Sequence, residues 1–187
     1  MLPRKMSLAV CLLLMASMLS FAQQTAASGS VTVSYKLSRL LRIASNQYAI
    51  WIETDSGSFV RTLMATNFTA KKGGWKFRSQ SIPGWVKAAN VANLPQSEID
   101  AVSSPTLRSG SYEAVWDLKD SKGKLVPPGK YRYLIEGNIS WDKMVLWSGT
   151  IVIGGQRQVS QATATYNPED AQHSGTLISD VTASYTP

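Results

Sequence analysis

An antiparallel β-sandwich is the fold this sequence predicts, and three observations predict it. Short segments with period-two alternation of apolar and polar residues recur along most of the chain. Clusters of Gly, Pro, Asp, Asn and Ser separate them. No strand–helix–strand rhythm of a parallel sheet appears. Seven to nine strands with one or two short helices in an insertion give an all-β, Ig-like sandwich.

The chain has 187 residues, one domain's worth once a leader is removed. Arg4 and Lys5 begin that leader, and Leu8 to Leu19 is an apolar run of about a dozen residues, too short to span a bilayer as a helix. Ser20-Phe21-Ala22 places small residues where a signal peptidase reads, so residues 1–22 are expected to be a signal peptide cleaved after Ala22. Cys11 is the only cysteine and follows Val10, where a lipoprotein signal needs a small residue. Cleavage leaves no disulfide, thiol nucleophile or thiolate metal site, and lowers the formal charge from +7 to +5 by loss of Arg4 and Lys5. The expected product is periplasmic or secreted, with no integral membrane segment. Its scattered cations match no nucleic-acid recognition motif.

Residues 23–30 read as a flexible N-terminal segment before a single domain over 31–187. Val31 to Tyr35 alternates and is the first strand, and residues 37–46 are loop or bulged strand. Tyr48 to Glu53 is a strand rich in aromatic and β-branched residues, Thr54 to Ser58 a turn, and Phe59 to Met64 the returning partner. The insertion, 65–109, holds a basic turn at Lys71-Lys72-Gly73-Gly74, an extended Trp75-Lys76-Phe77, and helical turns after Pro83 and Pro95. Tyr112 to Leu118 and Tyr131 to Glu136 alternate and form a hairpin. Trp116 points to the core, Asp117, Asp120 and Gly123 supply the turn, and Gly129 precedes the return. Lys143 to Ile153 is strand, with a bulge or bend at Gly149. Gln158 to Tyr166 alternates weakly, and Leu177 to Tyr185 is the last strand. Val181-Thr182-Ala183-Ser184-Tyr185 nearly repeats Val31-Thr32-Val33-Ser34-Tyr35, as two like strands of one sheet.

No catalytic residue is assigned. The single histidine, His173, sits in a polar tail, and no G-x-S-x-G elbow accompanies it. Asp117, Asp120 and Gly123 faintly echo a calcium loop but lack its spacing and closing glutamate, so they read as turn residues and no metal is expected. The aromatics are the stronger lead. Trp51 and Trp116 lie in strands and belong to the core. Trp75 and Trp85 lie in the insertion beside Lys72, Lys76 and Arg78, where exposed rings and cations suit an envelope protein or polysaccharide. Trp141 and Trp147 are a second, weaker pair.

The pattern Trp116-Asp117, Asp120, Gly123, Pro128-Gly129, Tyr131 resembles the Ig-like domain of flagellar hook-capping proteins. Residues 48–137 also resemble the predicted periplasmic family called domain of unknown function 2271. The resembling segments are Ala49 to Glu53, Gly57 to Leu63, Asp100 to Ser103, and Leu134 to Glu136. That resemblance implies an exported bacterial domain and no reaction. The family's Ser/Thr-Gly-Ala-Thr stretch resembles a site of covalent flavin attachment, which would fall on Thr106. Here Ser104-Pro105 replaces Gly-Ala and changes the backbone, so no cofactor is expected. The expected function is a non-catalytic envelope binding or adaptor module. The alternatives are an accessory of a flavin-linked redox or metal-uptake system, and a carbohydrate-binding module.

Overall fold

The computed structural model describes residues 27–187, so the expected signal peptide lies outside the described residues. In chain order the strands are β1 (Ser30–Leu37), β2 (Gln47–Thr54), β3 (Phe59–Thr66), β4 (Ser103–Ser104), β5 (Gly110–Trp116), β6 (Gly129–Ser140), β7 (Lys143–Ile153), β8 (Gln158–Gln161), β9 (Thr163–Asn167) and β10 (Ile178–Thr186). The helices α1 (Gly74–Phe77), α2 (Pro83–Ala88) and α3 (Gln96–Val102) all fall between β3 and β4.

Two sheets form, ordered β5-β1-β10-β8 and β4-β3-β2-β6-β7-β9. Pairing is antiparallel except for two-residue β4, which runs parallel to β3. The near-repeated segments are hydrogen-bonded partners: Val31 faces Tyr185 and Val33 faces Ala183 across β1 and β10. Alternation does the rest. Val31, Val33, Tyr35 and Leu37 of β1 point inward and meet Tyr48, Ile50 and Ile52 of β2 and Tyr133 and Ile135 of β6 in the core between the sheets.

The structure corrects four expectations. The alternating segments around Trp116 are not a hairpin, because β5 belongs to the four-stranded sheet and β6 to the six-stranded one. The connection crosses between sheets, and only its tip turns back on itself, with a bridge between Lys119 and Leu125. Residues 158–166 are two strands. The chain breaks at buried Ala162, and β8 and β9 join opposite sheets. Gly149 sits at no register shift. It leaves room for the Tyr133 ring, which a Cβ at that position would strike. Residues 27–30, read as part of a loose leader, are tied in: Ala27 is buried, and the Tyr185 hydroxyl donates to the Ser28 carbonyl at 2.8 Å.

The outer face of the six-stranded sheet is also covered. Ala49, Trp51, Ala65 and Leu134 project from β2, β3 and β6 into a second core, completed by Ile82, Trp85, Val91 and Ile99 of the insertion. The unbroken apolar run Tyr48 to Ile52 reflects this, since both faces of β2 are buried.

Candidate functional site

The insertion is held to the sheet by polar contacts as well as by its apolar underside. Glu136 projects from the outer face of β6 beneath the start of α2. Its carboxylate accepts the backbone N–H of Gly84 at 3.0 Å and of Trp85 at 2.8 Å. Burial pushes this carboxyl above its usual range, while the two amide bonds pull it down. Glu53 on β2 accepts the Trp51 indole N–H at 2.8 Å and pairs with Arg132 at 3.1 Å. Both buried carboxylates are therefore engaged by groups of the protein itself.

Trp85 is 0 % exposed, and its indole N–H donates to the Thr62 hydroxyl at 2.9 Å. This corrects its expected place on a binding surface: the ring is the keel of the second core and offers no free face. Arg78 also departs from the expected cluster. Its guanidinium donates to the Ala44 carbonyl at 3.0 Å and to Asn138 Oδ1 at 2.8 Å, and burial lowers its pKa.

The other expected residues do come together. Gly73 takes the left-handed conformation and α1 is a single turn, which fans Lys72, Trp75, Lys76 and Phe77 around one groove. Its floor is Val91, Leu94 and Ile99, and its volume is about 410 Å³. Trp75 is half-buried against the second core, and the Lys76 ammonium lies 5.1 Å from the centre of its ring. Phe77 is 82 % exposed. Lys71, also on the rim, is paired with Asp100 of α3 at 3.3 Å. A bond from Gln96 and this lysine hold the Asp100 carboxyl below its usual range. Among the described residues, Lys72 and Lys76 enter no ion pair within 4.0 Å of a carboxylate. A second cavity, of about 350 Å³, lies between α2, α3 and β3 and shares Leu94 with the groove.

The residues around the sheet crossing serve packing and turn formation. Trp116 is fully buried, its ring 5.1 Å from that of Tyr131 and its indole N–H bonded to the Lys119 carbonyl at 2.8 Å. Asp120 Oδ1 accepts the N–H of Lys122 and of Lys124, each at 2.9 Å. Gly123 has φ of 79°, which a side chain tolerates poorly. Asp117 pairs with Arg61 of β3 at 3.2 Å, and Gly129 opens β6. Thr106 stands between β4 and β5, outside the groove lining. His173 is exposed in the turn after β9.

A family model described as a predicted periplasmic protein, domain of unknown function 2271, matches residues 30–169. The chain belongs to that family. In this member of the domain of unknown function 2271 family, the match takes in β1 to β9 and the whole insertion, leaving β10 outside. No curated protein and no solved structure matches the chain. Among the described residues, no helix is long and apolar enough to cross a membrane.

Sequence reasoning missed three exposed apolar side chains: Phe77 in the groove, and Leu41 and Ile43 in the loop after β1. The signal for Phe77 was present. Trp75-Lys76-Phe77-Arg78 alternates ring and cation, which an extended segment would sort onto two faces and a helical turn spreads around one rim.

Proposed function

We propose that this periplasmic-family protein is a non-catalytic binding module whose insertion groove receives a partner protein of the cell envelope through an acidic, apolar segment. One observation carries the reading: Lys72, Trp75, Lys76 and Phe77 rim a groove with an apolar floor of Val91, Leu94 and Ile99. Cations at a rim select acidic partners, and an exposed aromatic beside an apolar floor supplies a desolvated anchor. The engagement of Glu53 and Glu136 in internal bonds supports the non-catalytic part. Lys76 lies over the Trp75 ring and competes for the face a sugar would need, which favours a protein segment over a glycan. An adaptor of an envelope redox or metal-uptake system would use the same groove, with the partner setting the pathway.

A photo-crosslinking side chain at position 77 tests this in cells. Specific adducts are expected, reduced about tenfold when Lys72→Glu reverses one rim charge, in line with a like-charge contact costing a kcal/mol or more. Adducts unchanged by Lys72→Glu, or none at all, would remove the reading.

A further inference from the structure

The loop Ser38–Asn46 is turned inside out relative to an ordinary surface loop. Two of its polar side chains, Ser45 and Asn46, face inward and are satisfied. Asn46 is buried, accepts the Leu40 N–H at 2.7 Å and donates to the Leu40 carbonyl at 2.8 Å. Ser45, also buried, donates to the Arg42 carbonyl at 2.7 Å. Leu40 packs against the core, while Leu41 and Ile43 are driven out, 103 % and 80 % exposed.

The β6–β7 turn stands against this loop. The Trp141 N–H donates to the Ala44 carbonyl at 3.0 Å, and Arg78 donates to that same carbonyl while lying 5.8 Å from the Trp141 ring centre. Trp141 is itself 61 % exposed. Ala44, Asn46 and Trp141 all have positive φ, at 58°, 66° and 40°. Non-glycine residues adopt this region at a cost, and three of them hold this one surface in place. A bonded scaffold therefore presents Leu41, Ile43 and Trp141 to the outside.

Arg39 and Arg42 are exposed in the same loop, and among the described residues neither is in an ion pair within 4.0 Å. Arg78, beside the Trp141 ring, adds a third cation, and Asp142 is the acid next to Trp141 in the chain. Lys143 is already held by Asp170 at 3.0 Å. Exposed aliphatic tips, an exposed tryptophan and neighbouring arginines are together the chemistry of a bilayer surface. The tips enter the acyl boundary, the indole sits at headgroup depth, and guanidinium groups meet anionic lipid.

We infer that Leu41, Ile43 and Trp141, with the exposed Arg39 and Arg42 of the same loop and Arg78 beside Trp141, form a docking surface for an anionic phospholipid bilayer. None of these residues lines the groove, so the surface operates independently of partner capture.

The test uses the chain without residues 1–22, so that the apolar leader contributes nothing. Sedimentation with vesicles of phosphatidylcholine and phosphatidylglycerol is expected to carry the protein down. Pure phosphatidylcholine, or high salt, is expected to leave it largely in solution. Leu41→Ser combined with Ile43→Ser should cut partitioning at least tenfold with an unchanged melting temperature, because both side chains are exposed. Brominated lipid should quench fluorescence in the parent chain and much less in Trp141→Phe. Failure to bind the anionic vesicles overturns the inference. So does binding that survives the Leu41/Ile43 double substitution, and binding abolished by Lys72→Glu alone would assign it to the groove instead.

Discussion

Glu136 joins insertion and sandwich through a single side chain. Its two oxygens accept the first amides of α2, yet its burial disfavours the charged form. A carboxyl whose folded-state pKa lies above its unfolded value binds its proton more tightly in the folded state. Its contribution to stability is therefore present at low pH and is lost as pH rises from the ordinary value of 4.5 through the raised one. Glu136→Gln removes that titration and leaves one amide facing an NH₂ group. The expected result is a stability difference, parent minus variant, that shrinks as pH increases across this window, read from urea unfolding midpoints. A pH-independent difference would show that the carboxyl titrates alike in the folded and unfolded chain, and a difference that grows with pH would show that the fold holds it ionised. Turn residues such as Asp120 and Gly123 are legible in sequence because their partners lie within four residues. The role of Glu136 is not, since the amides it accepts lie 51 and 52 residues away.

Among the elements, α2 shows why the insertion resists a reading from sequence. A tryptophan after Pro-Gly in a long irregular segment has the same local signature whether it projects outward or packs inward. What decides it here is the apolar outer face of β2, β3 and β6, which needs a cover. Trp85→Ala is expected to destabilise the fold by about 3–5 kcal/mol, the range for deleting a buried large aromatic, with the Thr62 bond lost as well. Thermal unfolding checks this, and a loss under about 1 kcal/mol would mean that the second core closes without the ring. The β2–β3 hairpin, by contrast, was readable apart from its two register shifts, because its strands and its Thr54–Ser58 turn are adjacent in sequence. The alternation of β5 and β6 was equally clear. It fixes which side chains point inward but carries no information about which sheet each strand joins.

For the whole molecule, the sandwich is asymmetric in thickness. One sheet is open on its outer face, where Val115 of β5 and Val159 of β8 are exposed. The other carries the insertion, and the groove and the outward-turned loop both belong to the segments that border it. This divides the labour: the inter-sheet core sets the fold, the second core fixes the insertion and floors its groove, and the outward-turned loop lies outside both. The sequence's alternation and turn signals therefore reported the sandwich faithfully. The surfaces emerge only where segments distant in the chain meet, as Ala44, Arg78 and Trp141 do.

Strand β2 has paired neighbours on both edges and apolar cover on both faces, which has a consequence in time rather than in space. Its amides, bonded to β3 and β6, can exchange only when those ladders open. In deuterium oxide they are expected to be among the last to exchange, at rates that track global unfolding, while those of β8 exchange through local fraying. Hydrogen-exchange mass spectrometry of peptides from 47–54 and 158–161 would show the contrast. Early labelling of β2 would mean that its ladders with β3 and β6 open locally while the rest of the sandwich stays folded.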